Sequence, residues 1–209
     1  MNSFITDPKE LALIGRVAIL FREKGMKAMT MDGIAEQLHV SKKTLYKYVK
    51  NRVELVNKCV QLRIWKETEN RTRILELGLN PIAEHLKFVE FTSEELKKTS
   101  AAAHEDLKKH FPAAFKLIQE FTNNFLFNIL KRGIERGIEE GLYCAQLDPE
   151  IIARMYICKI DLVFNGSVFP APKFNFANIL EQIVLHHIRG MVTQKGMRVL
   201  EEITKKKFK

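Results

Sequence analysis

The chain has 209 residues, 46% hydrophobic and 28% charged, which is enough apolar material for a folded core and excludes intrinsic disorder. Only 10 glycines and 6 prolines occur, and this scarcity argues against collagen-like chains and turn-rich β folds. Lys and Arg total 34 against 25 Asp and Glu, a net charge of +9 that favours a polyanionic partner such as nucleic acid.

Caps and prolines in the first part of the chain predict helices. Asp7-Pro8 starts a first helix, which the pattern of apolar residues carries to Gly25. Thr30 and Ser41 are the N-cap residues expected for two short helices, and a fourth, long helix begins near Asn51.

The rest of the chain is also predicted to be helical. Asn80-Pro81 and Asp148-Pro149 repeat the pairing of a cap with proline, residues 112–141 keep a helical apolar period, and residues 176–191 form a last long amphipathic helix. No segment alternates as a strand does. We predict an all-α protein: an N-terminal three-helix helix-turn-helix domain, joined by a long helix to a larger C-terminal helical bundle.

The second and third short helices predict a helix-turn-helix motif at about residues 30–49. The second helix of such a motif fits the major groove of DNA. Five basic residues and no acid lie between residues 42 and 52, with two tyrosines that can donate hydrogen bonds to phosphate oxygens. The predicted DNA-contacting residues are Thr30, Ser41, Lys42, Lys43, Thr44, Tyr46, Lys47, Tyr48, Lys50 and Arg52.

Several positions agree in type and spacing with a known DNA-binding signature: Thr30, Ile34-Ala35, Val40-Ser41, Thr44-Leu45-Tyr46, Tyr48 and Leu55. With these residues the chain resembles the TetR family of bacterial transcriptional regulators. It departs from the family pattern at Leu38-His39, where Ala-Gly is usual, at Val49 in place of Phe, and at Arg52 in place of Lys. The histidine matters most, because a positive φ in the turn is easiest for glycine.

The resemblance implies a DNA-binding domain at residues 7–67 and a ligand-binding and dimerisation domain at residues 68–209. Dimers would form through the last two long helices, at about 149–166 and 174–192. The expected function is a ligand-responsive regulator, a repressor that binds a near-palindromic operator as a homodimer. Ligand binding would change the spacing of the two DNA-reading domains.

The resemblance implies a small-molecule effector, which we expect to be apolar or amphipathic. Eleven of the fourteen phenylalanines lie between Phe88 and Phe176, in the larger C-terminal part of the chain. Each of these side chains can serve plain packing as well as a pocket. The candidates for lining a pocket are Trp65, Phe88, Phe91, Phe115, Phe121, Phe125 and Phe164.

Two alternatives remain open: a DNA-binding protein without an effector, whose C-terminal bundle binds a protein partner, and a helical carrier that has lost DNA binding. No catalytic motif, cofactor fingerprint or metal-ligand spacing occurs, so neither an enzyme nor a bound cofactor or metal is expected. Three scattered cysteines, and charges within the most apolar stretch at 151–169, indicate a soluble protein of the reducing cytoplasm without a membrane segment.

Overall fold

The computed structural model describes Ile5 and residues 7–207, and within this part of the chain the regular elements are helices, with no β-strand. An antiparallel bridge between Tyr143 and Val192 is isolated. The predicted all-α class is therefore confirmed. The α-helices are α1 (Pro8–Lys24), α2 (Met31–Gln37), α3 (Lys42–Tyr46), α4 (Arg52–Glu76), α5 (Pro81–Lys97), α6 (Ala101–His110), α7 (Pro112–Phe121), α8 (Phe127–Glu139), α9 (Pro149–Leu162), α10 (Phe176–Arg189) and α11 (Gln194–Lys207).

The chain divides into two compact units. Unit 1 comprises the described residues up to Glu69 together with Lys98–Phe121, and unit 2 comprises Asn70–Lys97 and the described residues from Thr122 onward. The predicted domains at 7–67 and 68–209 group the chain differently, because residues 98–121 pack within unit 1. That functional division stays a prediction.

The helix starts of unit 1 lie at the predicted caps. The Asp7 carboxylate accepts a hydrogen bond from the Lys9 amide at 2.8 Å, and Thr30 Oγ1 accepts one from the Gly33 amide at 3.0 Å. Helix α1 ends at Gly25, whose φ of 83° is in the left-handed region that glycine adopts without strain. Local hydrogen bonding thus determines where these helices begin and end.

Segment 98–121 is attached to the rest of unit 1 by one carboxylate and by apolar packing. Asp106 Oδ2 accepts hydrogen bonds from the backbone amides of Met26 and Lys27, at 2.8 and 2.7 Å. Leu107 and Phe111 are buried in the same core as α1 and α4. The partners of Asp106 are about 80 positions away in sequence, which explains why the local pattern did not assign the segment to this unit.

Unit 2 has its own core, in which α5 and α10 pack together. The prediction that the last helix ends near residue 191 is wrong, because α11 follows α10. Thr193 Oγ1 accepts a hydrogen bond from the Gly196 amide at 3.1 Å, and Leu200 is buried in the core. The helices at 149–166 and 174–192 are consequently not the last two.

The predicted run at 112–141 is not one continuous α-helix. A π-helical turn, Thr122–Leu126, separates α7 from α8. A π-helical turn takes up one residue more than an α-helical turn. The α-helical period therefore does not run unbroken from α7 into α8.

Candidate nucleic-acid interface

The turn between α2 and α3 is closed by its own backbone. The amides of His39 and Val40 donate to the carbonyls of Glu36 and Ala35, both at 3.0 Å. Among the described residues, His39 is the only non-glycine residue with a positive φ, which is 51°. The turn thus forms with histidine where glycine is usual, and histidine is among the residues that tolerate this region best.

The Ser41 side chain caps the start of helix α3 through two contacts with Thr44. Its Oγ accepts from the Thr44 amide at 3.0 Å and lies 2.8 Å from Thr44 Oγ1. Leu45 is 1% exposed and anchors the helix in the core. Ser41 and Thr44 therefore position α3, whether or not they also touch DNA.

The lysines predicted to contact DNA are all exposed, and we call them the basic face: Lys42, Lys43, Lys47 and Lys50. Lys42 Nζ lies 2.7 Å from Asp32 Oδ1, a hydrogen bond that raises the pKa of Lys42 above its usual value. Lys47 Nζ lies 5.0 Å from the centre of the Tyr48 ring. Both contacts are at the surface, where ion pairs are weak and phosphate can replace them.

The two tyrosines differ in their surroundings. Tyr46 is 45% exposed, whereas Tyr48 is half-buried against the core. The pKa of the exposed Asp7 carboxyl is lowered mainly by the Lys9 amide, and a hydrogen bond with the Tyr48 side chain lowers it further. Tyr46 is thus the more available of the two for a base or a phosphate.

Arg52 is directed at the protein itself. Its Nη1 donates to the carbonyls of Met29 and Lys27, at 3.1 and 3.3 Å, and its guanidinium lies 5.5 Å from the centre of the Phe111 ring. These contacts stabilise the loop before α2. A contact of Arg52 with DNA stays a prediction.

Sequence reasoning missed three charged residues that support the helix-turn-helix. Lys58 Nζ lies 2.6 Å from Glu10 Oε1 and donates to the Tyr48 carbonyl at 2.7 Å. The Arg16 guanidinium donates to the Leu38 carbonyl at the end of α2. These charges belong to helices distant in sequence, and no local spacing indicates their partners.

Comparison with known protein families decides the nature of this domain. Residues 18–59, which include α2, the turn and α3, match the family described as bacterial regulatory proteins, tetR family. Residues 18–59 are therefore a DNA-binding domain of the tetR type. The comparison with curated proteins gave no match.

Solved structures share the fold of this chain at low sequence identity. A transcriptional regulator from Cytophaga hutchinsonii has a TM-score of 0.71 at 19% identity, over 90% of this chain and 100% of the other. Regulatory protein TetR from Rhodobacter sphaeroides has 0.70 at 15% identity, over 89% and 100%. SmeT, the repressor of the Stenotrophomonas maltophilia multidrug efflux pump SmeDEF, has 0.69 at 15% identity, over 90% and 92%.

The aromatic residues proposed to line an effector pocket are divided between the two units of the chain. Trp65, Phe115 and Phe121 belong to unit 1, and Phe88, Phe91, Phe125 and Phe164 belong to unit 2. In unit 1, Trp65 and Phe115 pack at the edge of the core, whereas in unit 2 Phe88 is fully buried and Phe164 contacts Phe176 with ring centres 5.1 Å apart. The seven candidates therefore do not belong to a single unit.

Two further observations concern the described residues of the chain. No helix among them is both long enough and apolar enough to cross a lipid bilayer. Among the same residues, no group of three or more His, Cys, Asp and Glu side chains is arranged to hold a metal ion.

Proposed function

We propose that the chain is a ligand-responsive transcriptional repressor of the cytoplasm. It binds a near-palindromic operator as a homodimer, and residues 68–209 bind the effector. The residues proposed to contact DNA are Thr30, Ser41, Lys42, Lys43, Thr44, Tyr46, Lys47, Tyr48, Lys50 and Arg52. The observation that carries the proposal is the basic face beside a capped, exposed α3 in a tetR domain. The lysines of the basic face can exchange their weak surface partners for DNA phosphates, and Tyr46 is exposed next to them.

Support for the homodimer comes from α9. Ile151, Met155, Cys158 and Leu162 are exposed at spacings of four, three and four residues, so that they form one line on the helix. We call this line the apolar stripe. It lies within 149–166, the first of the two helices proposed for dimerisation, and a second copy would remove it from water.

The apolar stripe also supports a second candidate function. A different protein, instead of a second copy, would bury it equally well, and the chain would then bind DNA without an effector. The carrier that has lost DNA binding has less support, because His39 was its only argument and the turn closes with histidine in place.

Gel-shift experiments with genomic fragments test DNA binding. We expect some fragments to bind more tightly than others at equal salt, with an affinity that falls steeply as salt rises, by a log–log slope of about 0.9 per phosphate neutralised. Lys47→Ala is expected to weaken binding to all fragments by about tenfold and to flatten this slope. Tyr46→Ala is expected to change the preference among fragments.

Lys87→Ala is the matched control, because Lys87 is an exposed lysine of α5 outside the tetR domain. It should leave affinity and slope unchanged. Equal affinity for every fragment at matched salt would contradict sequence recognition, and an equal effect of both lysine variants would contradict the basic face as the binding surface.

A further inference from the structure

Unit 2 contains a small cavity between α5 and α8. Its volume is about 20 Å³, room for one water molecule, and it is lined at one end by Glu84, His85 and Tyr143 and elsewhere by apolar residues that include Phe88 and Leu130. A site with an apolar wall and a few polar groups is the usual environment for a small organic ligand.

The decisive polar group is His85. Its side chain is 91% buried (9% exposed), and its Nε2 has no hydrogen-bond partner within the described chain. Burial, with smaller contributions from the nearby His187 and Arg71, lowers the pKa of His85 to about 3, so the ring is neutral at physiological pH. A buried polar atom without a partner is costly, and a ligand that pairs with it gains that difference.

The charges around the cavity select against charged ligands. Glu84 Oε2 lies 2.9 Å from Arg136 Nη2, and its Oε1 faces Gly133. The guanidinium of Arg71 lies 4.8 Å from the centre of the Phe88 ring. Glu84 is already paired with Arg136, and the residues that line the cavity include neither guanidinium group, so a charged ligand would be buried there without a counter-ion of its own, which is costly.

The wall contributed by α8 is loosely packed. Between Thr122 and Gly133 no residue is fully buried, and the lining residues Ile129 and Leu130 remain partly exposed. The π-helical turn, Thr122–Leu126, forms the first part of this segment. Side chains with few buried contacts move at low cost, so this wall can yield to a molecule larger than water.

We propose that the cavity binds an uncharged, mainly apolar molecule that carries a hydroxyl group. The hydroxyl exchanges a hydrogen bond with His85 Nε2, and the apolar part displaces Ile129 and Leu130 from the α8 wall. A hydroxyl both donates and accepts, so it fits either tautomer of the neutral ring. The role of such a molecule as an effector rests on the proposed function, whereas its binding does not.

Four probes of similar size test the charge and hydroxyl preference: toluene, benzyl alcohol, benzoate and benzylammonium. Each is titrated into the full-length protein, and binding is followed by the NMR signal of the His85 ring. We expect benzyl alcohol to bind roughly threefold to tenfold more tightly than toluene, the effect of one net hydrogen bond, and the charged probes to bind more weakly than toluene.

Variants of His85 separate the hydrogen bond from packing, with binding followed by calorimetry. His85→Phe should abolish the preference for benzyl alcohol over toluene, and His85→Gln, which keeps a polar group, should retain part of it. His104→Gln is the control, since His104 is a largely buried histidine of unit 1, and it should leave the preference intact. Equal affinity for toluene and benzyl alcohol, tighter binding of benzoate, or no binding of any probe would overturn the proposal.

Gel shifts without any probe keep this result apart from the proposed function. Selective DNA binding without the hydroxyl preference would remove the cavity site and leave the regulator. The hydroxyl preference without DNA binding would remove the regulator and leave the cavity site.

Discussion

The basic face and the apolar stripe present opposite chemistry to solvent. The basic face lies on α3 and the residues after it, in unit 1, and its cations remain hydrated. The apolar stripe lies on α9 in unit 2, where Ile151 is 56% exposed and Met155 45% exposed. Exposed cations suit a polyanion that keeps part of its water, whereas exposed apolar side chains suit a surface that excludes water. The difference indicates two kinds of partner for one chain.

The two units also differ in the number of histidines whose pKa is lowered, so we expect them to differ in stability at acid pH. This is the largest of the effects predicted here. Burial is the main cause that lowers the pKa of His85 to about 3 and that of His187 to about 4, and the charge of Lys159 contributes to the lower value of His187. In unit 1, His104 has its pKa lowered to about 4. Unit 2 has two such groups and unit 1 has one.

Acidification should therefore destabilise unit 2 more than unit 1. The unfolded chain takes up protons below pH 6.5 while these folded histidines stay neutral, so stability is full above pH 6.5 and falls as the pH drops towards the folded pKa values. The loss is about 2 kcal/mol per histidine between pH 6.5 and pH 5, or about 4 kcal/mol in unit 2. Urea unfolding at both pH values measures it, and His85→Gln should halve the loss; an unchanged pH dependence in that variant would contradict this account.

A charge in the apolar stripe should disrupt self-association. Met155→Glu would bury an unpaired carboxylate in the proposed dimer and weaken it by about 100-fold or more, about 3 kcal/mol. Sedimentation of the variant against the unmodified chain measures the change. Leu77→Glu is the control, since Leu77 is 58% exposed but lies after α4, away from α9 in sequence. Dimers of unchanged affinity in Met155→Glu would remove the stripe from the interface.

The next effect concerns the attachment of α6 to the loop before α2. Asp106→Ala removes the charged acceptor for the amides of Met26 and Lys27, which should lower the free energy of unfolding by about 2 kcal/mol. Glu105→Ala is the control, because its pair with Lys109 is exposed and should contribute less than about 0.5 kcal/mol. Thermal unfolding compares the two, and equal melting temperatures would show that the Asp106 hydrogen bonds contribute nothing.

The smallest effect is expected in the helix-turn-helix turn. His39→Val places a β-branched residue in the left-handed region and should destabilise unit 1 by about 1–2 kcal/mol. His39→Gly should stay within about 1 kcal/mol of the original, because relief of strain offsets the added freedom of the unfolded chain. Chemical denaturation measures the free energy of unfolding of the two variants. A valine variant as stable as the glycine variant would contradict the claim that the backbone at position 39 strains a β-branched residue.

Much of unit 1 could be predicted because its structure follows from local interactions. Asp7 and Thr30 each cap a helix through an amide two or three residues away, and the His39 turn closes on the carbonyls of α2. The attachment by Asp106 could not be predicted, because it joins residues about 80 positions apart. Helix α11 has a local cap at Thr193 and a buried Leu200, and sequence reasoning overlooked it.

The cavity in unit 2 could not be predicted from local sequence patterns. His85 resembles any helical histidine in sequence, and only the packing of α5 against its neighbours makes its Nε2 buried and unpaired. The aromatic residues after position 60 predicted apolar surroundings but not which of them share a unit. Contacts between distant helices determine both, and no spacing along the chain encodes them.

A nuclease footprint on a selectively bound genomic fragment tests the central claim most directly. If two copies of α3 insert their exposed faces into the major groove, protection should appear as two symmetric half-sites whose centres are separated by whole turns of the double helix, about 10–10.5 base pairs each. The protected bases should form an inverted repeat. A single unpaired site, or protection spread evenly along every fragment, would contradict the account.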